Sequence, residues 1–109
     1  MEYIVNTPCG ELRGTKSRIE GVVAYKGIRY ATAGRFEYPR EVTQWDGVYD
    51  ATRYGTCCYQ PRSFFNEAEM PKKVFYYTEF RKGETFEYGE DCLFLNVFTP
   101  EQGGEKLPV

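Results

Sequence analysis

The stretch Gly89–Pro100, GEDCLFLNVFTP, decides how the chain is read. Leu93, Leu95 and Val97 fall on one side of a period-two pattern and Phe94 and Phe98 on the other, so both faces are apolar. A strand apolar on both faces is normally covered on both. The reading expects a buried strand over 91–99, inside a sheet. A polar turn follows (Glu101–Lys106), and Leu107-Pro108-Val109 opens like a further strand.

Working back toward the N-terminus, residues 2–30 carry short β-branched and aromatic runs, EYIV, ELRG and VVAYKGIRY. They are punctuated by Pro8, Gly10, Gly14, Gly21 and Gly27 at hairpin intervals. The pattern predicts an antiparallel meander, with Leu12, Ile19, Val22 and Ala24 turned toward its core. Residues 31–60 are dense in Gly, Pro and Asp, which predicts irregular backbone anchored by Trp45 and Tyr54. One helical turn is expected near Asp50, whose carboxylate can cap free N–H groups. Residues 61–89 form a long aromatic loop, in which MPKKVFYYTEF can make a short helix with Pro71 in its first turn and Gly83 beyond its end.

Composition narrows the function. The 109 residues fit one domain, and a net charge of −2 with interspersed signs offers no footprint for a phosphate backbone, so no nucleic-acid partner is expected. MEYIVNTPCG has neither a basic n-region nor an apolar h-region, and no apolar run is long enough to span a bilayer. A cytoplasmic protein without a membrane partner is expected. Cys9, Cys57, Cys58 and Cys92 lack the C-x-x-C spacing of a zinc site, so neither metal nor cofactor is expected. With no histidine, a Ser-His-acid triad cannot be completed within these residues, and neither Ser17 nor Ser63 has a G-x-S-x-G setting. No catalytic residue is assigned.

Six pieces in order are similar to the type-B carboxylesterase family, a branch of the α/β-hydrolase fold. They are TPCGELRG from Thr7, YKGIRYA from Tyr25, RF at Arg35, WDGVYDATRYG from Trp45, CYQ at Cys58 and EDCLFLNVFTP from Glu90. The resemblance implies that residues 1–109 are the N-terminal part of a single carboxylesterase domain. They would end before the histidine-glycine-glycine oxyanion turn and the nucleophilic serine. It implies a small-molecule carboxylic ester as substrate of the complete enzyme.

The resemblance also implies structural roles. Arg35 would pair with Glu90 in a buried salt bridge, where loss of one partner costs about 3–5 kcal/mol; two exposed charges are the alternative. Cys58 would join Cys92 in a disulfide, with adjacent free thiols the alternative in a reducing compartment. The segment between them, with Phe75, Tyr76 and Tyr77, would lie at the rim of a substrate gorge. Arg29 departs from the pattern, standing where the family commonly has proline. Two further readings remain open from the residues: a non-catalytic carboxylesterase-like adhesion or carrier protein, and a small aromatic-rich binding module.

Overall fold

The structure, a computed structural model, describes residues 3–59, 86–101 and 106–109. Among the described residues seven strands follow in chain order: β1 (Tyr3–Thr7), β2 (Gly10–Lys16), β3 (Val22–Arg29), β4 (Ala31–Thr32), β5 (Arg40–Glu41), β6 (Val48–Asp50) and β7 (Phe94–Pro100). The main sheet runs β1-β2-β3-β7, with β6 added to β2, and β4 pairs with β5 separately. No helix occurs among the described residues, and none there could cross a membrane. The segment expected to hold a short helix lies outside them.

The expected meander is present. β1 pairs antiparallel with β2 from Tyr3 opposite Gly14 to Thr7 opposite Gly10, and β2 pairs antiparallel with β3 through Thr15–Ala24 and Lys16–Val23. The turn between β2 and β3 is closed by Ser17, whose hydroxyl donates to the Ile19 carbonyl and accepts from the Ile19 N–H. This is the Ser/Thr-turn habit that makes such residues good turn formers. Ser17 therefore has a local structural partner.

Residues 31–59 carry more regular structure than their turn-rich composition predicts. They carry β4, β5 and β6, and β6 lies parallel to β2 with Leu12 opposite Tyr49. Asp50 does cap a backbone N–H, accepting from Thr52 at 3.2 Å and from the Thr52 hydroxyl at 2.6 Å, but no helix begins there. Thr52 instead bridges in parallel to Lys26, so the chain stays extended. These hydrogen bonds hold the Asp50 carboxyl below the usual carboxylate range.

The buried centre is Leu12, Ile28 and Ala51, with Tyr25, Trp45 and Tyr49 packed against it. Trp45 is anchored as expected: its Nε1–H donates to the Glu11 carbonyl at 2.8 Å, which satisfies the indole's one donor. Of the alternating positions, Leu12 and Ala24 are buried, whereas Ile19 and Val22 are only partly so.

β7 pairs with β3 where the sequence predicts a strand, but its burial differs from the expectation. Leu95 and Val97 remain 40% and 44% exposed. β7 is the last strand of the path, and among the described residues no layer covers the face that Leu95 and Val97 share. The apolar pattern records a demand for cover that the described residues do not meet.

The β3–β7 register shifts between Tyr25, opposite Val97, and Ile28, opposite Leu95, so that Lys26 and Gly27 together face Asn96. Such a bulge needs outside partners for its backbone. Lys26 N–H donates to the Ala51 carbonyl at 2.7 Å, and Gly27 N–H donates to Asn96 Oδ1 at 2.9 Å. The Tyr49 hydroxyl donates to the Gly27 carbonyl at 2.6 Å and accepts from Arg29 N–H at 3.2 Å.

Gly27 has φ 65°, and a Cβ built there would lie 2.3 Å from the Arg53 carbonyl oxygen. Positive φ and missing space act together. Gly27→Ala is expected to cost about 2–5 kcal/mol by urea unfolding, the sum of left-handed strain and overpacking. Gly21 supplies the control: its φ is 80° but nothing lies within 4 Å, so Gly21→Ala is expected to cost only about 1–2 kcal/mol. Equal losses at the two positions would contradict the close-packing account.

Candidate functional site

Of the residues singled out by the sequence, Arg35, Cys58, Glu90 and Cys92 come together around the turn after β4 and the approach to β7. Two backbone bonds bring the approach segment there: Cys57 N–H donates to the Glu87 carbonyl at 2.8 Å and Gly89 N–H to the Cys57 carbonyl at 2.9 Å. The chain at Cys57 thus runs beside Glu87–Gly89, bridging in parallel to Tyr88. Consecutive carboxylates, Glu90 and Asp91, then each meet an arginine.

Arg35 Nε donates to Glu90 Oε1 at 2.6 Å, and its Nη2 contacts the same oxygen. The pair expected from the resemblance therefore exists in geometry, but its side chains are 67% and 53% exposed rather than buried. Water solvates both charges because no described residue covers the turn, and a pair so exposed is worth about 0.2–1 kcal/mol.

Arg29 and Asp91 make a two-pronged pair that the sequence reading missed. Nη2 lies 2.9 Å from Oδ2 and Nη1 contacts Oδ1, while the guanidinium carbon sits 4.6 Å from the centroid of Phe94. The planar fork of arginine suits a carboxylate, and its flat face suits an aromatic ring. The signal was present in the sequence as an arginine in place of proline. Its partner lies 62 residues away, beyond any local pattern.

Cys58 and Cys92 line one cavity of about 270 Å³, which Arg35, Tyr59, Glu90 and Leu93 also line, and no disulfide joins the two. A larger cavity of about 610 Å³ is bounded by Tyr54, Phe86 and Phe94 together with Thr52, Arg53 and Glu87. The Tyr54 and Phe86 rings pack with centroids 5.8 Å apart and planes tilted by 47°, and the Lys26 ammonium lies 4.5 Å from the Tyr54 ring centroid. Phe75, Tyr76, Tyr77 and Ser63 lie outside the described residues.

The chemistry open to this arrangement is limited to holding and orienting. The Asp91 carboxylate, clamped by Arg29, is a poor proton carrier near neutrality, since the ion pair favours its charged form. The hydrogen bonds from Arg29 hold the Asp91 carboxyl below its ordinary value, and those to Asp91 raise the Arg29 guanidinium. Among the described residues no group of three or more His, Cys, Asp or Glu side chains is placed to hold a metal ion.

The sign of the Asp91 shift fixes a pH dependence. A carboxyl depressed in the folded state contributes stability that is present above its unfolded value, about 3.9, and is lost as pH falls through the folded one. The gap in urea midpoint between the native protein and Arg29→Gln is therefore expected to be widest above about pH 4 and to close below it. A gap that stays constant through the acid range would show that Arg29 acts by packing on Phe94 alone.

Known proteins match nearly the whole of this chain. The profile of the carboxylesterase family matches residues 1–109. The para-nitrobenzyl esterase of Bacillus subtilis (strain 168) is 36% identical over 112 residues, which cover 97% of this chain and 19% of that protein. The cholinesterase of Mus musculus is 31% identical over 105 residues, covering 91% of this chain and 16% of that protein. A solved structure of a PNB esterase superimposes with a TM-score of 0.66 at 33% identity, covering 99% of this chain and 20% of that one. The chain spans about a fifth of the length of the relatives it matches.

Proposed function

This chain belongs to the carboxylesterase family, its sheet being the N-terminal part of that α/β-hydrolase fold, and from that premise we propose that it is the scaffold portion of a serine carboxylic-ester hydrolase. The observation that carries the reading is the match of one family of ester hydrolases across all 109 residues. In the proposed reaction a serine hydroxyl adds to the carbonyl of a small carboxylic ester, its proton passing to an imidazole. Collapse of the tetrahedral intermediate expels the alcohol, protonated by that imidazolium, and leaves an acyl-serine. Water then repeats the sequence and releases the acid. Backbone N–H groups stabilise the oxyanion in both halves.

Because these residues include no histidine, the proposal places that chemistry outside them, in the complete enzyme. What this portion supplies is position. The bulge at Gly27 and the clamps on Glu90 and Asp91 fix the approach to β7 relative to β3.

Fluorophosphonate labelling of the protein isolated from its natural source tests the reading. A single modified serine outside residues 1–109, with loss of p-nitrophenyl ester hydrolysis on labelling, is the expected outcome. Modification of Ser17 or Ser63 would overturn the assignment, and a protein that neither labels nor hydrolyses esters would favour a non-catalytic member of the family.

A further inference from the structure

Three aspartates occur in the chain, Asp46, Asp50 and Asp91, and two of them have occupied carboxylates. Asp50 accepts from the Thr52 N–H and hydroxyl, and Asp91 is gripped by the Arg29 guanidinium. Asp46 stands apart: the residue is exposed, and its side chain makes no hydrogen bond or ion pair with a described residue. Gly47 follows it, also exposed, with φ 68° and nothing within 4 Å of where a Cβ would lie. Asp50 and Asp91 are followed instead by Ala51 and Cys92.

A carboxyl beside an unhindered peptide nitrogen is a reactive pair. The Gly47 nitrogen can add to Asp46 Cγ, forming an N–Cγ bond and expelling a carboxyl oxygen as water, which closes a cyclic imide. Water then reopens the imide at one of its carbonyls. Attack at Cγ restores aspartate, whereas attack at the former peptide carbonyl leaves isoaspartate, whose main chain runs through Cβ and Cγ and is one methylene longer. One water leaves and one enters, so no oxidant or second reactant is needed. A side chain on the following residue crowds the attacking nitrogen, and glycine has none.

The fold makes the added length matter, because both ends of this two-residue link rest on the start of β2. Trp45 N–H donates to the Cys9 carbonyl at 3.0 Å, and its indole donates to the Glu11 carbonyl at 2.8 Å. Val48 opens β6 opposite that same Glu11, and the next residue, Tyr49, holds the Gly27 bulge through its hydroxyl. A longer main chain between two fixed ends has to displace one of them, and β6 is only three residues long.

We propose that Asp46–Gly47 is a site of spontaneous backbone isomerisation in the folded protein, and that the isomer loosens β6 from β2. The inference is independent of the esterase reading.

The test uses the intact protein from its natural source, held at neutral pH in heavy-oxygen water for some days and then digested with trypsin. Cleavage after Arg40 and Arg53 releases residues 41–53, which carry Asp46 together with Asp50 as an internal control. Electron-transfer fragmentation is expected to place isoaspartate and its heavy oxygen at position 46, accumulating at least about tenfold faster than at position 50. Asp46→Glu, whose ring would need an additional carbon, is expected to abolish the product. The isomerised fraction, separated by ion exchange, is expected to unfold at a lower urea concentration than unaged protein. Equal accumulation at positions 46 and 50, or accumulation at 46 only after unfolding in urea, would overturn the proposal. An isomerised fraction with the native urea midpoint would overturn the link to β6.

Discussion

At Lys26–Gly27 two residues of β3 face one residue of β7, and the backbone there must find hydrogen bonds outside the ladder. Every partner it finds belongs to a different part of the chain: Ala51 for Lys26, Asn96 for Gly27, and Tyr49 for the Gly27 carbonyl and the Arg29 N–H. A bulge left unsatisfied in this partly buried position would forfeit about 1–3 kcal/mol for each orphaned group. Satisfied, it joins β3, β6 and β7 in one network. The absence of a side chain on Gly27 lets the Arg53 backbone approach, which brings Tyr54 and Gly55 beside Phe94.

From that junction the positions of the charged residues follow. Past the bulge β3 delivers Arg29 opposite Phe94, and three residues before Phe94 stands Asp91. Glu90 precedes it and meets Arg35 on the turn that follows β4. Neither ion pair is buried, so neither is a large source of stability by itself. Their effect is to fix a short irregular segment to two neighbouring elements. Both pairs lie at the surface where cover is lacking, and the same arginines would be far more consequential under a layer that excludes water.

The sequence made the antiparallel meander legible because its signals are local: glycine and proline spacing, β-branched runs and alternation. β7 was legible for the same reason. Its exposure was not, because alternation reports what a strand needs and not what lies next to it. The parallel addition of β6 to β2 was hidden in Val48-Tyr49-Asp50, a run too short to rise above the turn residues around it. Arg35 and Glu90 were brought together by resemblance and not by any pattern of their own. Asn96 carried no signal of its role, since capping Gly27 depends on a register shift that period two cannot express. Arg29 was noticed as a departure from proline, yet its partner Asp91 becomes evident only once β3 and β7 are paired.

The most direct measurement is amide hydrogen exchange, residue by residue, across β3 and β7. If the bulge is a fully bonded junction, the Lys26, Gly27 and Arg29 amides exchange as slowly as the ladder amides of the neighbouring strand residues, and together with them. Exchange at those three amides as fast as in the exposed turn Gly34–Glu37, with the flanking ladder still protected, would contradict the account by showing that the junction opens independently of the sheet it is said to hold.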